Sequence, residues 1–140
     1  MNLQLSLKKN WFEMTKKGIK SEDYRDVNIY WVKRLLLYSN KGINVKNGWR
    51  NNQIEDIIND LIETEGDIEQ LEYQLDNWYL SFKPFKTNTM TLGYPKKTDT
   101  ERILKLEHKG IEIRTGNPEW GAEPNKLYFV IKHGSFLNEI

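Results

Sequence analysis

Cysteine is absent from all 140 positions of the chain, which excludes disulfide bridges and every metal site that depends on thiolate ligands. The chain has only two histidines, His108 and His133, and neither stands at zinc-site spacing from another histidine or a carboxylate. No glycine-rich loop ends in Lys-Ser or Lys-Thr, and no serine lies in a nucleophile elbow. We therefore predict no metal and no cofactor, and we interpret both histidines as ordinary strand residues.

Long apolar runs are also missing from the sequence. No segment approaches the roughly 20 consecutive apolar residues of a membrane-spanning helix, and residues 1–9 contain no apolar stretch of signal-peptide length. Together with the lack of cysteine, this predicts a soluble, cytoplasmic protein that does not contact a membrane. The five Trp, seven Tyr and five Phe supply enough bulky apolar material for a single domain that spans residues 1–140.

The formal net charge of +1 hides a division along the chain. Residues 1–50 carry eleven Lys and Arg against four Asp and Glu, while residues 51–80 carry nine acidic residues and no basic one. Residues 81–140 carry ten basic residues against seven acidic ones. The chain is therefore a basic body with an acidic insertion, and a charge asymmetry of this kind is informative about binding partners.

The acidic insertion has the apolar periodicity of two helices. Apolar residues recur at helical spacing from Ile54 to Ile62, and a second apolar stripe runs from Ile68 to Tyr79. We interpret residues 51–80 as an acidic helical hairpin that packs its stripes inward and presents its carboxylates outward. A solvated face is one explanation of this surface. The sequence also leaves open an edge or cover for a nucleic-acid groove, and a contact with a basic protein partner.

Most of the remaining chain has the patterns of strands. Leu3, Leu5 and Leu7 alternate with polar residues, as in a half-buried strand. Further strands are predicted at residues 87–94 and 127–132. Between them, apolar residues from Ile103 to Ile113 indicate either a strand pair or one strand broken near Gly110.

Two helices interrupt the strands early in the chain. Asn10 and Glu13 have the pattern of a capping box, and Gly18 can close the helix that they begin. Asn28 is placed to cap a second helix that extends to about Tyr38. Strands combined with an early helical block, without a repeating βαβ order, predict an α+β fold built on a mixed β-barrel.

The residues that follow the first helix form the most informative motif. Gly18, Lys20, Asp23 and Arg25 have the order Gly-x-Lys-x-x-acidic-x-Arg at a predicted helix-to-strand junction. Because side chains alternate along a strand, Asp23 and Arg25 share one face, and Lys20 reaches them only if a turn or bulge intervenes. This order resembles the signature of the ASCH domain, a PUA-like β-barrel family. The segment 115–134 resembles the closing segment of small ASCH-like proteins of bacteriophages and prophages.

The resemblance covers residues 1–38 and 82–134. It implies a PUA-like, ASCH-type barrel with flanking helices and the acidic hairpin as an insertion, in a phage-associated protein of the bacterial cytoplasm. Some ASCH-like proteins hydrolyse an amide of N4-acetylcytidine with the motif lysine, a threonine at the acidic position and a separate glutamate, and others are ribonucleases. Here Lys20 is present, but Asp23 occupies the threonine position. If the chain is an enzyme, we expect Asp23 to act as a general base on water and Lys20 to stabilise the developing oxyanion.

Residue types alone favour a nucleic-acid ligand. Lysines neutralise phosphates and exposed aromatic rings stack on unpaired bases, and these are the two contacts that single-stranded RNA or DNA needs. We therefore predict that a basic cleft binds RNA or a nucleotide without turnover. The candidate nucleic-acid-binding residues are Lys8, Lys16, Lys17, Lys20, Tyr24, Arg25 and Trp120.

Two alternatives to simple binding stay open from the sequence. A hydrolase that acts on a modified nucleoside or on RNA requires Lys20 and Asp23 to point into one pocket. A phage interaction protein would bind or inhibit a host protein or ribonucleoprotein, through the hairpin 51–80 or through the basic surface. A purely structural role is the competing interpretation of the motif, with Asp23 and Arg25 as an ion pair that braces the mouth of the barrel.

Overall fold

The computed structural model describes residues 1–38, 68–76 and 80–137. In these ranges the protein is a mixed α+β protein with few helices and a curled five-stranded sheet. The chain divides into two compact units. Residues 1–25 and the described residues from 84 onward belong to the first unit, and the described residues between 26 and 83 belong to the second.

Seven strands and three α-helices are described within these ranges. The strands are β1 (Asn2–Leu7), β2 (Glu22–Asp26), β3 (Leu36–Tyr38), β4 (Leu80–Phe82), β5 (Thr87–Leu92), β6 (Ile103–Thr115) and β7 (Leu127–Phe136). The helices are α1 (Lys9–Lys16), α2 (Ile29–Leu35) and α3 (Ile68–Asp76), and two short 3-10 turns lie at Thr100–Arg102 and Pro118–Trp120. No helix in the described part of the chain is both long and apolar enough to cross a membrane.

The five-stranded sheet has the order β1-β5-β6-β7-β2, so β1 and β2 are its two edge strands. β1 and β5 run parallel, whereas β6 is antiparallel to both β5 and β7. The alternation predicted for Leu3, Leu5 and Leu7 is confirmed, because all three side chains are buried while their neighbours are not. These leucines belong to the core of the first unit. Burying one such side chain stabilises the fold by about 1.5 to 3 kcal/mol.

Strand β6 is one long strand with an irregularity near Gly110, which is the second of the two alternatives that its sequence leaves open. The β6–β7 register shifts between Leu106 and His108 and again between His108 and Gly110. Gly110 adopts a φ of +115°, a region in which a residue with a Cβ is strained. The irregularity in the β6–β7 pairing therefore lies at the position where His108 pairs with His133 of β7.

Helix α1 begins earlier than the capping pattern predicts. Its N-cap is Lys8, which makes no side-chain cap, and Asn10 lies inside the first turn, so the predicted capping box is wrong. The predicted C-terminal glycine is confirmed. Gly18 has a φ of +74°, its N–H donates to the carbonyl of Thr15, and the N–H of Ile19 donates to the carbonyl of Met14. This paired pattern is a Schellman motif, which reverses the chain immediately before Lys20.

The second unit contains α2, α3 and the short antiparallel pair of β3 and β4. Asn28 caps α2 as predicted, because its side chain accepts a hydrogen bond from the N–H of Trp31 at 3.0 Å. The helix ends at Leu35 rather than near Tyr38, since residues from Leu36 onward are extended and pair with β4. Of the predicted acidic hairpin, α3 is confirmed as a helix. The predicted stripe from Ile54 to Ile62 lies outside the described residues.

Candidate functional site

The carboxylate of Asp23 binds two cations at once. Its Oδ1 lies 3.3 Å from the ammonium of Lys20, and its Oδ2 lies 2.6 Å from Nε of Arg25. Asp23 and Arg25 stand two residues apart on β2, and so reach the same side of the strand. Lys20 arrives from the turn that follows Gly18. The structure therefore brings the three predicted motif residues together. It does so through a turn before the strand, which is the condition that side-chain alternation imposes on Lys20.

Lys20 is only 3% exposed. Lysines are almost never buried to this extent unless polar groups pair with the ammonium. Its ammonium donates to the carbonyl oxygen of Glu22 at 2.6 Å as well as to Asp23. The rings of Trp11 and Tyr24 lie 6.0 Å and 5.5 Å from Nζ, close enough for cation–π attraction. The site is thus a charge-paired ammonium between two aromatic rings.

Burial lowers the pKa of Lys20 from its usual value, because removing the ammonium from water penalises its charged form. The attraction of Asp23 and the hydrogen bond to it act in the opposite direction, and the charge of Arg25 adds to the lowering. Lys20 is therefore not an ordinary surface cation. Its charge is held by Asp23, so the pair presents little net charge to a ligand.

Arg25 connects the two edges of the sheet. While Nε donates to Asp23, Nη2 donates to the main-chain carbonyl of Ser6 at 3.0 Å. Ser6 lies on β1 and Arg25 on β2, which are the first and last strands of the sheet order. One guanidinium therefore joins strands that are not neighbours in the hydrogen-bonded ladder, next to the buried carboxylate. Its fork of fixed donors suits this two-way contact.

A second polar arrangement lies on β5, β6 and β7, and the sequence interpretation missed it. The amide of Asn88, 0% exposed, stands between two imidazoles: its Nδ2 lies 2.7 Å from Nδ1 of His133, and its Oδ1 lies 2.8 Å from Nδ1 of His108. The main-chain N–H of His133 donates to the carbonyl of Ser21, which places this histidine beside the segment that carries Lys20 and Asp23.

Burial lowers the pKa of His133 to about 4 and lowers that of His108 as well, so both rings are neutral at pH 7. The charges of Asp23 and Lys20 act on His133 in opposite directions. We call Lys20, Asp23, Asn88 and His133 the buried polar cluster, because Lys20 binds Asp23, Asn88 binds His133, and the charges of the first pair act on the ring of His133. Each of the four residues is less than 10% exposed. The interpretation of the histidines as ordinary strand residues holds for their place in the strands but overlooks this cluster.

Tyr24 and Trp120 were the two predicted base-stacking residues. Tyr24 is half-buried, its ring packs against Tyr128 at 5.7 Å, and its hydroxyl both donates to Glu22 at 2.7 Å and accepts from the N–H of Asn117 at 2.9 Å. Burial, the largest influence, raises the pKa of this phenol to about 12. The structure thus gives Tyr24 a packing role. Trp120 is half-buried at the end of the Pro118–Trp120 turn.

The predicted phosphate-binding lysines lie on or beside α1. Lys8 and Lys17 are exposed and Lys16 is half-buried, whereas Lys20 points inward to Asp23. The predicted basic set therefore divides into a surface group of three lysines and an interior pair formed by Lys20 with Arg25. Both groups consist of basic residues. They differ in their place in the fold, because the three lysines lie on or beside α1 and the other two residues lie in the turn and strand that follow it.

A separate cavity of about 520 Å³ contains none of the predicted site residues. It lies against β1, β5 and β6 and carries two lysines and no carboxylate. Its position follows from strand alternation, because Asn2 and Gln4 are the outward neighbours of the buried Leu3 and Leu5. The lining residues are Asn2, Gln4, Thr89, Thr91, Pro95, Lys97, Thr100, Ile103 and Lys105.

In the part of the chain that the structure describes, no three His, Asp or Glu side chains are grouped so that they could hold a metal ion. The charged and polar side chains of the buried polar cluster instead bind one another and the main chain. Comparison of the chain with protein-family models, with curated proteins and with solved structures found no match.

Proposed function

We propose that this protein is a PUA-like, ASCH-type module that binds RNA or a nucleotide, with the ligand held beside Lys20, Asp23 and Arg25. The observation that supports this function best is the convergence of two cations on one buried carboxylate where the edge strands β1 and β2 approach. Ion pairs that serve stability alone are mostly exposed, because burying charge is costly. Groups whose pKa values are shifted by burial and by a charged partner, as that of Lys20 is, are concentrated at ligand and catalytic sites.

The division of the basic residues assigns two kinds of contact. Lys8 and Lys17 lie exposed at the two ends of α1, and the half-buried Lys16 lies in its last turn, so all three can neutralise phosphates there. The pair of Lys20 and Asp23 is close to neutral as a unit and offers both donors and acceptors, which suits the edge of a base better than a phosphate. Binding therefore combines an outer electrostatic contact with an inner polar one.

The outer contact can be tested by fluorescence anisotropy with a labelled single-stranded RNA of mixed sequence. We expect affinity to fall steeply with salt, and the triple variant Lys8→Gln, Lys16→Gln, Lys17→Gln to reduce the slope of log K against log salt by up to about 2, at about 0.7 per phosphate contact in single strands. The matched control removes three other exposed lysines, Lys86, Lys96 and Lys97, and should leave the slope near that of the wild type.

Two results would reject this function. The first is the absence of saturable binding of RNA and of mononucleotides by the folded wild-type protein at low salt. The second is binding that salt does not weaken, since that would show that phosphates contribute nothing. If both triple variants lose affinity equally, the surface attracts RNA through net charge alone and α1 is not the contact.

Hydrolysis is the second candidate, favoured by the contact between the partly desolvated Lys20 and the carboxylate of Asp23. In this scheme Asp23 takes a proton from water, and the oxygen of that water attacks the acyl carbon of N4-acetylcytidine. The C–N bond then breaks as Asp23 returns the proton to the departing nitrogen, so that cytidine and acetate are released and the remaining proton passes to solvent. Both oxygens of Asp23 already accept from cations, so a water must share them. That competition is why binding ranks first.

The hydrolase candidate predicts acetate release from N4-acetylcytidine by the wild-type protein. Asp23→Asn preserves the shape of the side chain but removes its basicity, and should lower the rate by about 100-fold or more. Circular dichroism would verify that the variant is folded, and Glu112→Gln, which changes an exposed carboxylate, is the matched control. Absence of product at high protein concentration, or equal rates for wild type and Asp23→Asn, would eliminate this candidate.

A further inference from the structure

Nε2 of His133 is a buried polar atom that has no hydrogen-bond partner among the described residues. The residue is 9% exposed, so water does not reach this nitrogen freely. Leaving such a group unsatisfied is costly, and native proteins keep few of them. The atom belongs to the buried polar cluster that also holds Lys20 and Asp23, and it is the member whose bonding capacity is not used.

The neighbours of His133 decide which of its two nitrogens carries the proton. Nδ2 of Asn88 lies 3.3 Å from the carbonyl oxygen of Lys132, and a carbonyl can only accept, so this end of the amide is the donating NH₂. The same Nδ2 therefore donates to Nδ1 of His133. Its other end, Oδ1, accepts from Nδ1 of His108. The neutral ring of His133 thus carries its hydrogen on Nε2, which is a donor without an acceptor.

The missing acceptor is best supplied by an uncharged group. The charges with the largest effects on the ring of His133 are those of Asp23 and Lys20, which pair with each other, followed by that of Glu22, so a phosphate at Nε2 would meet two carboxylates and an ammonium that is already paired. A carbonyl oxygen or a ring nitrogen of a nucleobase accepts from an N–H donor without adding charge. Fixed donors of this kind give recognition, because a ligand without the acceptor leaves them unpaired.

We infer that the Nε2–H of His133 donates a hydrogen bond to the polar edge of a nucleobase bound beside Lys20 and Asp23. Asn88 is the positioning residue, since it fixes the tautomer and the orientation of the ring. This inference rests on the proposed function and extends it from phosphate attraction to base recognition. His133 then discriminates between ligands by their base edge, whereas the lysines of α1 respond only to the phosphates.

Two substitutions separate the nitrogens of the ring. Asn at position 133 retains an oxygen near the place of Nδ1 that can accept from Asn88, but it removes the Nε2 donor. Gln at this position retains an N–H near the place of Nε2 and loses the contact at Nδ1. We expect His133→Asn to weaken binding of the labelled single-stranded RNA about tenfold, and His133→Gln to stay within about threefold of the wild type. Thermal unfolding would establish that both variants are folded.

An abasic RNA of the same length provides the second measurement, because it keeps the phosphates and lacks the base edges. The affinity of the abasic RNA should be the same for wild type and His133→Asn. Equal weakening for both RNAs would show a structural effect and overturn the inference, as would RNA binding that His133→Asn does not change. If His133→Gln is the weaker binder, the contact with Asn88 matters rather than Nε2. Failure of the wild type to bind any RNA would instead reject the proposed function itself, and the inference with it.

Discussion

Asp23→Ala is expected to lower the free energy of unfolding by about 3 to 5 kcal/mol, because it leaves a buried ammonium without its counter-charge. Lys20 is 3% exposed and would keep the carbonyl oxygen of Glu22 and the rings of Trp11 and Tyr24 as partners, none of which carries a negative charge. Arg25 suffers less, since it keeps its bond to the main chain of Ser6 and its side chain is partly accessible to water. Most of the loss therefore comes from the contact between Lys20 and Asp23.

The chain provides a matched control for this prediction on its surface. Glu112 also bridges two cations, Arg114 and Lys132, but its side chain is 47% exposed. Urea unfolding of Glu112→Ala should show a loss of at most about 1 kcal/mol, because water screens exposed ion pairs and solvates the partners that remain. Equal losses for the two alanine variants would contradict the view that burial makes the Asp23 contacts important.

A second variant keeps the prediction testable if Asp23→Ala does not fold. Lys20→Met in the Asp23→Ala background removes the stranded charge and retains a flexible apolar side chain of similar length. We expect this double variant to recover most of the stability that the single variant loses, since replacing a buried pair by apolar groups is often close to neutral. Its stability would be measured in the same urea titration. A double variant less stable than Asp23→Ala alone would refute the explanation.

The local part of the site could be predicted from the sequence. Strand alternation alone places Asp23 and Arg25 on one side of β2, and Gly18 indicates the turn that delivers Lys20. These signals lie within eight residues of each other. Contacts between distant residues leave no such signal, which is why the bond from Arg25 to Ser6 and the bond from Asn88 to His133, 45 positions away, were not anticipated.

Fold boundaries show the same limit. The helical pattern that starts at Asn28 continues to Tyr38, but α2 ends at Leu35 because Leu36 finds a strand partner in Phe82, which is remote in sequence. At α1 the pattern of Asn10 and Glu13 is locally favourable, yet the N-cap lies two positions earlier, at Lys8. Tertiary pairing overrides local preference in the first case. Nothing in the described contacts explains the second.

Acidification is expected to destabilise the protein through His133, between pH 6.5 and about pH 4. Burial holds the pKa of this ring at about 4 in the folded state, against 6.5 in a solvated chain. In this interval the unfolded state binds a proton that the folded state does not, so stability falls as the pH falls. At pH 4 the loss from His133 alone amounts to about 3 kcal/mol, and it vanishes well above pH 6.5, where the ring is neutral in both states.

Urea unfolding at a series of pH values would measure this effect, with His133→Gln as the variant that cannot titrate. The stability of wild type should decline between pH 6.5 and pH 5, and that of His133→Gln should decline less. The pKa of His108 is also lowered by burial, so it adds a loss of the same sign that the variant retains. Parallel curves for wild type and His133→Gln would show that the ring of His133 is not responsible.

The histidine effect can be separated from that of the carboxylates by its position on the pH axis. Hydrogen bonds lower the pKa values of two glutamates: Glu107 accepts from the main chain of Ser135, and Glu112 accepts from Lys132 and Arg114. Burial acts to raise the pKa of Glu22, but hydrogen bonds from Arg114 and Tyr24 outweigh it and lower this pKa as well. A carboxylate with a lowered pKa stabilises the folded state above its unfolded value of 4.5 and loses this contribution only below it. The decline between pH 6.5 and pH 5 therefore reports on the buried imidazoles rather than on these glutamates.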